Sequence, residues 1–186
     1  MNDIINKALW LVGLVFLQVL LLDKMTLFGV ATPLAYIYVL LIWNKGWSRS
    51  YLLVVSFILG LVIDTFENMP GVNASACVLL GMLQPVYLNL FIPRELQDEH
   101  AIEPSAKTLG WGGFLKFTLF CVVTHHVMVL LLVFFSFGDL AGMVVRIAGC
   151  VLMTMAFVIV FELLRNRGNK ELQGIWNNLS LEKGNM

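Results

Sequence analysis

Few side chains in this 186-residue chain could do chemistry, and most of those that could lie inside long apolar runs. His125 and His126 could ligate a metal or relay a proton. Adjacent residues on a helix point about 100° apart, so the pair cannot hold one ion without distortion. No HExxH or ExxH pattern, and no second His on a neighbouring helix, completes a ligand set. A histidine hydrogen-bonded within a bundle is the ordinary state; ligation or proton relay is the alternative. Cys77, Cys121 and Cys150 sit in apolar runs without CxxC spacing, which reads as small residues at helix contacts rather than a metal or disulfide site. There is no GxSxG, no Walker or Rossmann glycine loop, and Gly60-Leu61-Val62-Ile63-Asp64 is not the GxGD pattern of intramembrane aspartyl proteases. Without a second intramembrane acid of that kind, hydrolysis has no candidate machinery. The expectation is a non-enzyme with no cofactor and no metal.

The remaining polar residues recur at helical spacing. Ser56, Gly60 and Asp64 fall on one face of a helix, as do Asn73, Cys77, Gly81, Pro85 and Asn89 on the next. Pro70-Gly71 turns one into the other, so the small faces can meet and let the backbones approach. A polar-lined pocket is the other reading. A third stripe comprises Gly142, Arg146, Cys150 and Thr154. Arg146 lies about two turns into its helix, near the level of Asp64. It can snorkel to the headgroups, the commoner outcome, or pair with Asp64 and discharge two costly groups.

Composition dictates the elements that carry these residues. Hydrophobic residues make up 59% of the chain and charged ones 13%, with mean hydropathy +0.85. Soluble domains run at about 45–50% and about 25%. That excess of apolar side chain needs lipid as its solvent. The 12 basic and 12 acidic residues cancel, which argues against nucleic acid as a partner. The expected fold is all-α, a polytopic membrane protein with six transmembrane helices at about 8–22, 27–43, 51–66, 72–92, 114–137 and 140–164. No small-x-small cleavage site follows Leu22, so the first segment is expected to be retained. In the second, Thr32-Pro33 reads as a helix start, and Pro33 to Trp43 spans only about 16 Å. Phe28–Ala31 must then be an irregular approach covered by other helices. Pro85 is expected to bend the fourth helix. Residues 93–113 form a polar connector. The polar tail 166–186 carries Leu172, Ile175, Trp176 and Leu179 at helical spacing, so it is either a short amphipathic helix on the membrane surface or disordered.

Basic residues set the orientation. With the N-terminus in the cytoplasm, ten of the 12 Lys and Arg (Lys7, Lys45, Arg49, Arg94, Lys107, Lys116, Arg165, Arg167, Lys170 and Lys183) face inward. Lys24 alone faces out, and Arg146 is within a span. Both termini are therefore expected in the cytoplasm.

Gly60-Leu61-Val62-Ile63-Asp64 followed by Pro70-Gly71-Val72-Asn73-Ala74 resembles the signature of the rod shape-determining membrane protein MreD family. The likeness is specific over 56–92 and loose over 1–165. The family often has His where this chain has Asn73. The resemblance implies a non-catalytic, multi-pass component of the bacterial inner membrane complex that elongates the peptidoglycan wall. It implies association with a single-span MreC-like scaffold. Through that scaffold the chain would contact an MreB-like filament and a RodA-type glycosyltransferase with its transpeptidase. It also implies a fold similar to the substrate-binding subunits of energy-coupling-factor transporters. Gly60, Asp64, Pro70 and Gly71 match the signature, and no catalytic role travels with them. Ser56, Asn73, Cys77, Gly81 and Arg146 complete the residues expected to pack helices or hold a partner helix. The competing reading is a small-molecule transporter or substrate-binding membrane subunit, which the interrupted second helix, the bent fourth and the His pair would suit.

Overall fold

A computed structural model describes residues 2–20, 22, 32–46, 48–97, 99, 102–134 and 140–184, with side chains given for residue 9 and for described residues from 11 to 167 except Leu140. Every regular element among them is helical. The chain runs through α1 (Asn2–Leu20), a 3₁₀ turn at Ala35–Ile37 continuing into α2 (Tyr38–Leu41), then α3 (Arg49–Glu67) and α4 (Val72–Phe91). A 3₁₀ turn at Arg94–Leu96 leads to α5 (Ala106–Phe134) and α6 (Leu140–Gly184). Four of these helices are long and apolar enough to cross a membrane: α3, α4, α5 and residues 141–167 of α6. In α1 the apolar stretch among the described residues is the shorter Leu11–Leu20, which falls below that length. The outside of the bundle carries large apolar side chains such as Leu90, Val144, Val145 and Leu152, each more than 60% exposed, a surface suited to lipid rather than water.

The second element differs from the helix drawn from sequence. Thr32–Leu34 is irregular, and only the seven residues Ala35–Leu41 are helical, so the interruption reaches further than Pro33. Leu34 to Trp43 are all buried, and this strip runs through the middle of the bundle. Irregular backbone at that depth must find hydrogen-bond partners among side chains. Two residues supply them. Gln18 of α1 donates from Nε2 to Pro33 O (3.0 Å) and accepts from Ala35 N at Oε1 (2.9 Å). Thr154 of α6 accepts from Leu34 N (3.1 Å). Residues 27–31, the start of the expected second span, and the 138–139 turn lie outside the described residues.

α3 begins at Ser48, whose Oγ accepts from Tyr51 N (3.3 Å), and stops at Asn68, which takes the left-handed conformation with φ 55°. α4 runs on through Pro85 to Phe91. α5 is interrupted at Gly110, where φ is 69° and ψ 157°, so one turn before the break belongs to the connector and the long apolar segment follows it. α6 continues as helix to Gly184, which takes in most of the polar tail; side chains beyond 167 lie outside the described residues.

Candidate functional site

The α3–α4 hairpin is built around two glycines and one carboxylate. A Cβ on Gly60 would lie 2.6 Å from Asn73 O and closer still to Ala74 Cα. Any side chain there would force the two backbones apart. One on Gly81 would sit 2.5 Å from Ser56 Oγ, and that hydroxyl is turned back onto its own helix, donating to Leu52 O (2.7 Å). Asp64 is buried at the end of this seam. Its Oδ1 accepts from Asn73 N (2.8 Å), and its Oδ2 from Gly71 N and Ala74 N (3.0 Å each). These are three of the amides that an α-helix leaves unpaired at its start, so Asp64 caps α4 from the preceding helix and sits in the positive field of its N-terminus. Gly71 holds φ 89° to turn its N–H inward, and Pro70 is exposed on the turn.

Arg146 is not brought to Asp64. It is exposed on α6, its guanidinium 5.3 Å from the ring centroid of Phe134, while the acceptors of Asp64 are taken by backbone amides. Of the two outcomes weighed for Arg146, the ion pair with Asp64 does not form, and Asp64 caps a helix instead. A carboxylate already given three N–H donors gains little from a cation it would have to share with lipid.

Asn73 links the hairpin to the buried strip. Its Nδ2 donates to Glu67 Oε2 (2.7 Å), which leaves Oδ1 to accept from the Tyr36 hydroxyl (2.8 Å). Since Tyr36 gives its proton to Asn73, His125 Nε2 at 3.3 Å must be the donor to Tyr36 Oη. That fixes the Nε2–H tautomer of His125 and leaves its buried Nδ1 without a partner among the described residues. Cys77 Sγ is 3.6 Å from the same Nε2. Such a pair would suit nucleophilic catalysis if the imidazole could take the thiol proton. Here the facing nitrogen already carries hydrogen, and both residues are fully buried. His126 points elsewhere, the two rings standing 89° apart, and bonds Thr154 Oγ1 (2.9 Å). Among the described residues no group of three or more His, Cys, Asp or Glu is placed to hold a metal ion. Cys121 and Cys150 are buried in helix contacts, whereas Asn89, the last member of the α4 stripe, is exposed.

A second polar cluster, which the sequence reading missed, closes the other end of the bundle. Glu162 of α6 is fully buried. It accepts from the Tyr38 hydroxyl (2.9 Å), from Ala106 N at the start of α5 (2.8 Å) and from Asn166 Nδ2 (3.2 Å). Arg165 pairs with it at 2.7 Å and reaches Glu103 at 3.1 Å, its guanidinium over the Tyr38 ring. The i, i+3 spacing of Glu162 and Arg165 was the available signal. A span boundary set at 164 placed the arginine in the cytoplasm and left the acid unremarked. Gln18, Tyr36 and Tyr38 gave no comparable signal, because their described bonds run between elements distant in the chain, and Thr154 stood out only as a member of the α6 stripe.

Two open spaces flank these clusters. A cleft of about 340 Å³ near the α3–α4 turn is lined by residues that include Glu67, Asn73, His126, Val129, Val133 and Arg146. A groove of about 440 Å³ between α1 and α3 is lined by apolar residues alone, among them Val12, Phe16, Ile58, Val62 and Phe66. No family model matches the chain, and no curated protein or solved structure matches it either.

Proposed function

We propose that this chain is an MreD-like, non-catalytic component of the bacterial cell-elongation machinery, and that it acts by holding a partner's transmembrane helix. The observation that carries the reading is that the signature residues act as one mechanical unit. Gly60 lets α4 touch α3, Gly71 turns the chain, and Asp64 ties the start of α4 down. Residues used to stiffen a hairpin suit a protein whose task is to present helix faces in a fixed geometry. The α1–α3 groove supports the same reading, since it has the apolar lining that a membrane-embedded helix requires. On this reading the chain crosses the inner membrane six times with both termini cytoplasmic, in a fold similar to the substrate-binding subunits of energy-coupling-factor transporters. Its partners are membrane lipid, a single-span MreC-like protein and, through that protein, an MreB-like filament and a RodA-type glycosyltransferase with its transpeptidase.

Site-specific photo-crosslinking tests this in cells that co-express the chain with the single-span scaffold of the same organism. A probe replacing Phe16 or Ile58 is expected to trap that scaffold through its membrane helix. A probe at Leu90, which is 68% exposed on α4, is expected to trap at least tenfold less. Failure to trap the scaffold at either groove position, together with failure to co-purify it in mild detergent, would sink the reading.

A further inference from the structure

The residues that lead into the long segment of α5 are held from outside that helix. Ile102–Leu109 is tied together internally: Ser105 N donates to Thr108 Oγ1 (3.0 Å), Thr108 N to Ser105 Oγ (3.1 Å) and Thr108 Oγ1 to Glu103 O (2.8 Å). α6 grips this piece. Arg165 pairs with Glu103 (3.1 Å) and donates to Pro104 O (3.0 Å), and Glu162 accepts from Ala106 N (2.8 Å). The chain just past the buried strip adds another hold, Lys45 N donating to Ile102 O (2.9 Å). Ile102, Ala106 and Leu109 are buried in the core that also contains Tyr38, so the piece covers that end of the bundle.

Gly110 joins this piece to the rest of α5. Its φ of 69° and ψ of 157° fall in a region that glycine alone adopts readily, and they turn Ala106–Leu109 out of line with the long segment. A Cβ at Gly110 would meet nothing within 4 Å, so the backbone demands glycine and the packing does not. Were Gly110 to take helical angles, Ala106–Leu109 would stack straight on α5 and carry Glu103 and Ala106 N away from α6. One residue whose dihedrals separate two arrangements is a hinge. The grip is also uneven. Glu162 is fully buried, whereas the Glu103 side chain is 42% exposed, which leaves its half of the grip open to screening by salt.

We propose that Ile102–Leu109 is a strap, latched to α6 through Glu103 and Arg165 and hinged at Gly110, whose release opens the Tyr38–Glu162 end of the bundle to water. The inference is independent of the partner-helix reading. Release breaks bonds at one end of the molecule and leaves the α3–α4 seam intact, the behaviour of a local opening unit.

Hydrogen–deuterium exchange on the full chain in nanodiscs tests this at low and high sodium chloride, with the α3–α4 hairpin as internal reference. In the wild-type chain, exchange over 102–109 is expected to rise about threefold from low to high salt, the weight of a half-exposed ion pair. Glu103→Gln is expected to show the faster rate at both salts. Gly110→Ala is expected to speed exchange of the same segment about tenfold, although it alters none of the groups that form the latch, because alanine resists the bent backbone. Gly112→Ala has equally open space but no positive φ, and is expected to leave the segment as protected as in the wild type. The hairpin amides should keep their wild-type exchange throughout. Salt-independent exchange in the wild type, or equal exchange in the two alanine variants, overturns the proposal. So does a matching rise in the hairpin, which would mean a loosened bundle in place of a moving strap.

Discussion

Asp64 and Glu162 perform the same task at opposite ends of the bundle by different means. Each is a buried carboxylate that accepts a backbone N–H at the start of a helix, α4 for Asp64 and α5 for Glu162. Among the described residues Asp64 is met only by the neutral donors of Gly71, Asn73 and Ala74, seven to ten residues ahead of it in the chain. Glu162 is met by Arg165 and Tyr38 as well, and the amide it caps lies 56 residues upstream. The comparison separates two ways of keeping an acid in an apolar interior. One surrounds it with helix-end dipoles and needs no counter-ion. The other builds an ion pair and then requires further hydrogen bonds to offset desolvation. A tyrosine of the buried strip joins each end: Tyr36 reaches the Asp64 end through Asn73, and Tyr38 bonds Glu162 directly.

If Glu162 is held by its ion pair, removing the acid should have the largest effect. Glu162→Gln strands most of the Arg165 charge and is expected to destabilise the folded state by about 3–4 kcal/mol, since breaking a buried pair costs about that much. Unfolding in detergent with an added denaturant would read it, and restoration by Arg165→Met in the same chain would confirm the cause. A double variant no more stable than Glu162→Gln alone would mean the pair is not what holds this end. Asp64→Ala should cost about 2–3 kcal/mol, the value of a helix cap plus buried amides left without acceptors. No single charge removal should rescue it. Rescue by removing a cation would show that the Asp64 end is an ion pair after all. Smallest are the tyrosines. Tyr36→Phe should cost about 1–2 kcal/mol because Asn73 and His125 both bond its hydroxyl. Tyr38→Phe should cost about half as much, because Glu162 keeps three other donors. A reversed order would invert the contrast between the two ends.

Much of the α3–α4 end could be read from the chain. Gly60 and Asp64 lie at i, i+4 on one helix, and Pro70-Gly71 follows within a turn, so their proximity is a matter of helix geometry and a short loop. What Asp64 bonds was not legible, because spacing shows that a carboxylate reaches the helix end but not whether a cation or an amide awaits it. The Glu162 end was hardly legible. One acid inside an apolar run looks like a helix boundary until α5 is known to begin beside it.

By itself the sequence determined the helical class, the apolar surface, the small-residue seam of α3 and α4, and the break near Pro33. These follow from covalent connectivity and from contacts within a few residues along the chain. Only the tertiary structure decided that Gln18 and Thr154 satisfy the broken backbone, that Tyr36 fixes the tautomer of His125, and that Arg146 stays apart from Asp64. Those outcomes depend on the rotation and depth of each helix against its neighbours. In a bundle whose surfaces are nearly uniform in apolarity, a few buried hydrogen bonds fix that rotation, and their partners are distant in the chain.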